Sequence, residues 1–101
     1  MASRLERMQN LSDLRQYVKQ TLCEQNQLEI EAFPLTERIL TRGGRPCGIF
    51  FCLHGPRLVK FSAIWETEQN TILFYGPTGQ RTERVQLVDS LRLEPTAAAA
   101  A

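Results

Sequence analysis

Residues Cys47–Tyr75, CGIFFCLHGPRLVKFSAIWETEQNTILFY, decide the fold. Three apolar, β-rich runs lie in this stretch: CGIFFCL, LVKFSAIW and TILFY, divided by the turn signals HGPR and ETEQN. Six of the chain's eight aromatic residues fall here, namely Phe50, Phe51, Phe61, Trp65, Phe74 and Tyr75. Apolar area is what drives folding, so the remaining elements are expected to arrange themselves around these runs. In LVKFSAIW the alternation is clean. Val59, Phe61, Ala63 and Trp65 share one face, and Leu58, Lys60, Ser62 and Ile64 the other, so the first face is assigned to the core. TILFY sets Ile72 and Phe74 against Leu73 and Tyr75. CGIFFCL is apolar on both faces, which predicts a central strand covered on both sides.

Upstream, Thr36–Thr41 reads as a strand, joined to CGIFFCL through RGGRP, because paired glycines tolerate the positive φ of a tight hairpin. Downstream, GPTGQ turns the chain into a last strand at Arg81–Val88. Its polar start predicts an edge position. Gln25–Pro34 is a connection in which Leu28, Ile30 and Ala32 alternate with acids, a short edge strand at most, limited by Pro34.

Residues 3–27 read as an amphipathic helix. Ser3 and Glu6 fit a capping box, and Leu5, Met8, Leu11, Leu14, Val18 and Leu22 recur at spacings of three and four. Asn10 and Ser12 offer a second start, which would leave residues 1–9 as a looser arm. Residues 1–93 form one domain, and 94–101, ending in five alanines, form a flexible low-complexity tail.

The predicted architecture is α+β, one N-terminal helix packed on a four- to five-stranded antiparallel β-meander. A curled sheet approaching a small barrel is the alternative. One helix covers one face only, so the other would show Leu58, Ile64, Leu73 and Phe50 or Phe51 with little above them. Ile64, Leu73 and Tyr75 are therefore the expected self-association face, with a homodimer or another protein as partner.

Composition excludes several classes. The chain has 101 residues, 43% hydrophobic and 23% charged, with a net charge of +1. These are ordinary globular values, and burial of roughly two-thirds of the unfolded surface is enough for one core. No run approaches the ~20 apolar residues of a membrane span. The first ten residues carry no apolar export segment. Three cysteines in such a chain are expected reduced, and the location is read as cytoplasmic.

Chemistry-bearing motifs are scarce. Cys47, Cys52 and His54 have the spacing C-x4-C-x-H, which matches no zinc knuckle, and no second ligand pair exists. His54 is the only histidine and lacks an acidic orienter nearby, so a cysteine nucleophile is rejected. No phosphate-binding glycine loop and no D-x-D pair occurs. No catalytic residue and no cofactor are assigned, and the chain reads as a non-enzymatic binding module. Turns of a meander alternate between its ends, which places HGPR and GPTGQR together. His54, Arg57 and Arg81 are accordingly the candidate anion-binding residues. Turn chemistry accounts for those glycines and prolines without any ligand. The alternative is a module for single-stranded RNA or DNA. From Phe33 to Leu87 the chain has seven basic residues (Arg38, Arg42, Arg45, Arg57, Lys60, Arg81, Arg84) against four acidic ones (Glu37, Glu66, Glu68, Glu83). Tyr75 and Lys60 on one sheet face, with Arg84 beside them, fit such a surface loosely.

Overall fold

A computed structural model describes residues 2–88 and 91, with the side chains of residues 2–4 left aside. In chain order the elements are β1 (Ala2–Glu6), α1 (Leu11–Gln25), β2 (Leu35–Arg42), β3 (Arg45–His54), a one-turn 3-10 helix (Pro56–Leu58), β4 (Lys60–Glu66), β5 (Thr71–Tyr75) and β6 (Arg81–Leu87). The strands form one sheet in the order β1-β6-β5-β4-β3-β2. From β2 to β6 it is an antiparallel meander, and β1 joins β6 in parallel. The protein is thus α+β, as predicted, with six strands and an open sheet instead of a barrel. Among the described residues no helix is long and apolar enough to cross a membrane. The expected tail, 94–101, lies outside the described residues.

The helix starts at the second of its two candidate caps. Asn10 Oδ1 accepts from the Asp13 amide at 2.8 Å, satisfying an orphan donor of the first turn, and the Asp13 carboxylate reaches back to accept from the Gln9 amide before the cap at 3.1 Å. Ser3 and Glu6 do not cap a helix. They belong to β1, whose backbone pairs with β6 from Ala2↔Glu83 to Glu6↔Leu87. The ladder offered by an otherwise open edge outweighs the weak helical spacing of five residues. Helix α1 ends without glycine. Gln27 takes the left-handed conformation at φ 57, while the Leu28 amide bonds Cys23 O at 2.8 Å and the Gln27 amide bonds Glu24 O at 3.4 Å. That is the hydrogen-bond pattern of a Schellman cap. Beyond it, residues 28–34 run as turns, and the short strand expected there is absent; Leu28, Ile30 and Phe33 pack against the core instead.

Leu14, Val18 and Leu22 of α1 are buried against the inner sheet face of Ile49, Phe51, Leu53, Phe61, Ala63, Trp65, Ile72, Phe74 and Val85. The alternation read from LVKFSAIW therefore gives the right core face. Three strand-level expectations change. Leu58 is not on a strand: it follows Arg57 in the 3-10 turn, both at positive φ (64 and 56), and is 93% exposed. The turn is closed by Gly55 N–H to Val59 O at 2.8 Å and Val59 N–H to Pro56 O at 3.0 Å. Strand β3 is next to the edge strand β2 and is covered by α1 on one face only. Strand β6 is interior by one position, because β1 pairs along its outer side; its polar residue Glu83 faces α1, where Gln25 Nε2 donates to it at 3.0 Å. Gly48 has no room for a side chain, since a Cβ there would run into the Trp65 carbonyl oxygen.

Candidate interaction face

The tripeptide Thr-Glu-Arg occurs twice, at 36–38 on β2 and 82–84 on β6. Side chains of a strand alternate between faces, so each copy sends its Glu and its Arg to opposite sides of the sheet. The register aligns the two copies across the molecule. On the covered face one row reads Glu37↔Phe51↔Ala63↔Phe74↔Glu83; on the uncovered face the adjacent row reads Arg38↔Phe50↔Ile64↔Leu73↔Arg84. Each row is three apolar residues bracketed by like charges, about 19 Å from end to end at four strand spacings.

On the covered face the charges are used. Arg15 Nε of α1 donates to Glu37 at 2.8 Å, and its guanidinium is held protonated to still higher pH by that hydrogen bond. At the other end of the helix Gln25 donates to Glu83. On the uncovered face no element among the described residues lies over the row. Phe50, Ile64 and Leu73 are half-buried by their neighbours alone, and the Arg38 guanidinium sits 5.7 Å from the Phe50 ring centroid. Arg84 donates to Gln86 Oε1 at 3.4 Å.

Next to that row lies Thr36↔Cys52↔Ser62↔Tyr75↔Arg81, followed by the pair His54↔Lys60. Ile64, Leu73 and Tyr75 thus share one face, Ile64 directly beside Leu73 and Tyr75 one row on. A hollow of about 310 Å³ is lined by Thr36, Glu37, Arg38, Phe50, Cys52, His54 and Lys60. His54 Nε2 is within 2.9 Å of the Thr36 hydroxyl. The turns carrying Arg57 and Arg81 sit at the same end of the sheet by topology, two connections apart. Neither residue lines the hollow; Arg38 and Lys60 are the cations beside His54. Near the other end, Leu40, Arg42, Cys47, Ile64, Trp65, Glu66 and Glu68 line a smaller hollow of about 150 Å³, with Arg42 3.7 Å from Glu68.

Elsewhere, a polar groove of about 420 Å³ runs beside the C-terminal half of α1, lined by Tyr17, Gln20, Thr21, Glu24, Gln25 and Glu83. Among the described residues no three His, Cys, Asp or Glu side chains cluster to hold a metal ion. All three cysteines are free. Burial pushes the Cys23 thiol up, with Lys19 opposing and Glu31 assisting, and its Sγ lies 3.9 Å from Glu29 O. Sequence reading missed Arg38 and Arg84 as a matched pair. The signal was the repeated Thr-Glu-Arg, whose meaning depends on the register between β2 and β6. No protein-family model, curated protein or solved structure matches the chain.

Proposed function

We propose that the protein is a non-catalytic interaction module whose working surface is the uncovered sheet face. The observation that carries this reading is the sorting of charge: Glu37 and Glu83 face α1, whereas Arg38 and Arg84 bracket the apolar row Phe50, Ile64 and Leu73 on the open side. An apolar row left uncovered and bracketed by two arginines has the composition of a binding surface. The basic end, His54, Arg57, Lys60 and Arg81, extends the same surface toward acidic groups of a partner. The reading includes no catalytic step and no cofactor. It places the protein in the cytoplasm, in keeping with three free thiols.

Single-stranded nucleic acid is the second reading, favoured by Tyr75, Arg81 and Lys60 in neighbouring rows. The test of the face itself is partner retention. Tagged wild-type protein, Leu73→Lys and a helix-surface control, Gln16→Lys, are purified under native conditions from the source cells. Loss of associated molecules from Leu73→Lys alone is the expected result. Identical recovery with all three overturns the assignment of the face.

A further inference from the structure

We infer that the uncovered face takes an acidic amphipathic helix of a partner protein, laid across the strands as α1 is laid across the opposite face. The inference rests on the interaction-module reading and specifies its partner. The covered face shows how this sheet holds a helix. Between Arg15, bound to Glu37 on β2, and Gln25, bound to Glu83 on β6, α1 advances ten residues, about 15 Å, and long side chains bridge the rest of the row. Leu14, Val18 and Leu22 fill the apolar middle. The next row, on the other face, repeats that plan with the sign reversed: Arg38 and Arg84 stand where Glu37 and Glu83 stand, with Phe50, Ile64 and Leu73 between them.

The dimensions define the ligand. Phe50 and Leu73 are two strand spacings apart, about 9.6 Å. Apolar residues at positions i, i+3 or i+4, and i+7 of a helix span about 10.5 Å. Glu or Asp side chains roughly ten residues apart, one beyond each end of that stripe, meet Arg38 and Arg84. Lys60 and Arg81 lie one or two rows further on and enlarge the cationic field.

Two other occupants fit less well. A second copy whose row is laid directly over this one by a two-fold axis sets Arg38 over Arg38, or Arg38 over Arg84, which opposes like charges at both ends of the row. A nucleic acid needs rings on which bases stack. The central row offers the aliphatic Ile64 and Leu73, and Phe50 already carries the Arg38 guanidinium.

The test is fluorescence anisotropy of the full chain against a synthetic Leu-striped, Glu-rich helix of about 20 residues, long enough to hold helix in water. A scrambled peptide of equal composition, the same stripe with Lys for Glu, and an oligouridylate are run beside it, with sedimentation of the protein alone. The striped acidic peptide is expected to bind at least about tenfold more tightly than the scrambled one, a difference of about 1.4 kcal/mol. Leu73→Lys should abolish that preference. Arg38→Glu combined with Arg84→Glu, at an exposed and a half-buried position, should transfer it to the Lys peptide, with circular dichroism confirming an intact fold. Equal binding of the striped and scrambled peptides overturns the inference. Oligouridylate binding or self-association that Leu73→Lys removes overturns the helix as occupant and leaves the face in place. Binding of none of the probes, with a monomeric protein, overturns both readings.

Discussion

Replacing Asn70 by alanine removes two supports of the β4–β5 turn at once. Asn70 Oδ1 accepts the indole N–H of the fully buried Trp65 at 3.1 Å, and Asn70 holds the left-handed conformation at φ 55. A buried donor stripped of its acceptor costs about 1–3 kcal/mol. Alanine in the left-handed region costs about 1–2 kcal/mol, a penalty asparagine partly escapes by local hydrogen bonding. The expected loss is therefore about 3 kcal/mol. Trp65 is the only tryptophan, so its fluorescence follows urea unfolding without interference. For a slope near 1.5 kcal/mol per M, the midpoint falls by about 2 M. Two companions separate the causes. Asn70→Gly keeps the backbone at ease and loses only the acceptor, for about 1–2 kcal/mol. Asn70→Asp keeps an acceptor oxygen and should lose less than about 1 kcal/mol. A glycine variant as stable as the wild type would show that the Trp65 bond contributes nothing, and an aspartate variant as damaged as alanine would refute the role given to Oδ1.

Gly48→Ala is expected to cost about 2–3 kcal/mol, because the new methyl group meets the Trp65 carbonyl oxygen on a paired strand. A thermal melt should drop by roughly 10–20 °C, and an unchanged melt would contradict the close approach of β3 and β4. Alkylation of the folded protein should reach half-buried Cys47 first and spare Cys23, which has no exposed surface and a thiol pushed up by burial. Peptide mass mapping at mildly alkaline pH checks the order, and equal labelling of the two would place Cys23 outside the α1 packing.

The strands around Trp65 were legible because alternation and turn residues agree: Phe61, Ala63 and Trp65 fall inward, and Gly43 and Gly44 adopt the positive φ their turn requires. Ile64, Leu73 and Tyr75 were placed on one face by the same parity. What escaped depends on partners distant in sequence. ASRLE has no period-two pattern, and only the edge of β6 makes it a strand. Polar residues at the start of β6 suggest an edge, but β1 takes that edge and Gln25 satisfies Glu83. Gln27 ends α1 in a conformation usually given to glycine, so composition carries no sign of it. The pairing of Arg38 with Arg84 in one row also depends on bulges at Leu40/Thr41 and Phe74/Tyr75. A one-residue slip in either place would have sent one Arg inward.

The parallel pairing of β1 with β6 sets a timetable for folding. Ala2 finds its partner only when Glu83 exists, so the first of these six strands to be synthesised is the last that can be hydrogen-bonded. Until then β6 is an open edge and ASRLE an unpaired segment, while β2–β5 assemble by short hairpins whose loops close quickly. The N-terminal strand acts as a latch on a sheet already built. Among the described residues the opposite border, β2, has no such latch. It carries Glu37, Arg38 and Arg42 along its length, charges that discourage another sheet from extending it.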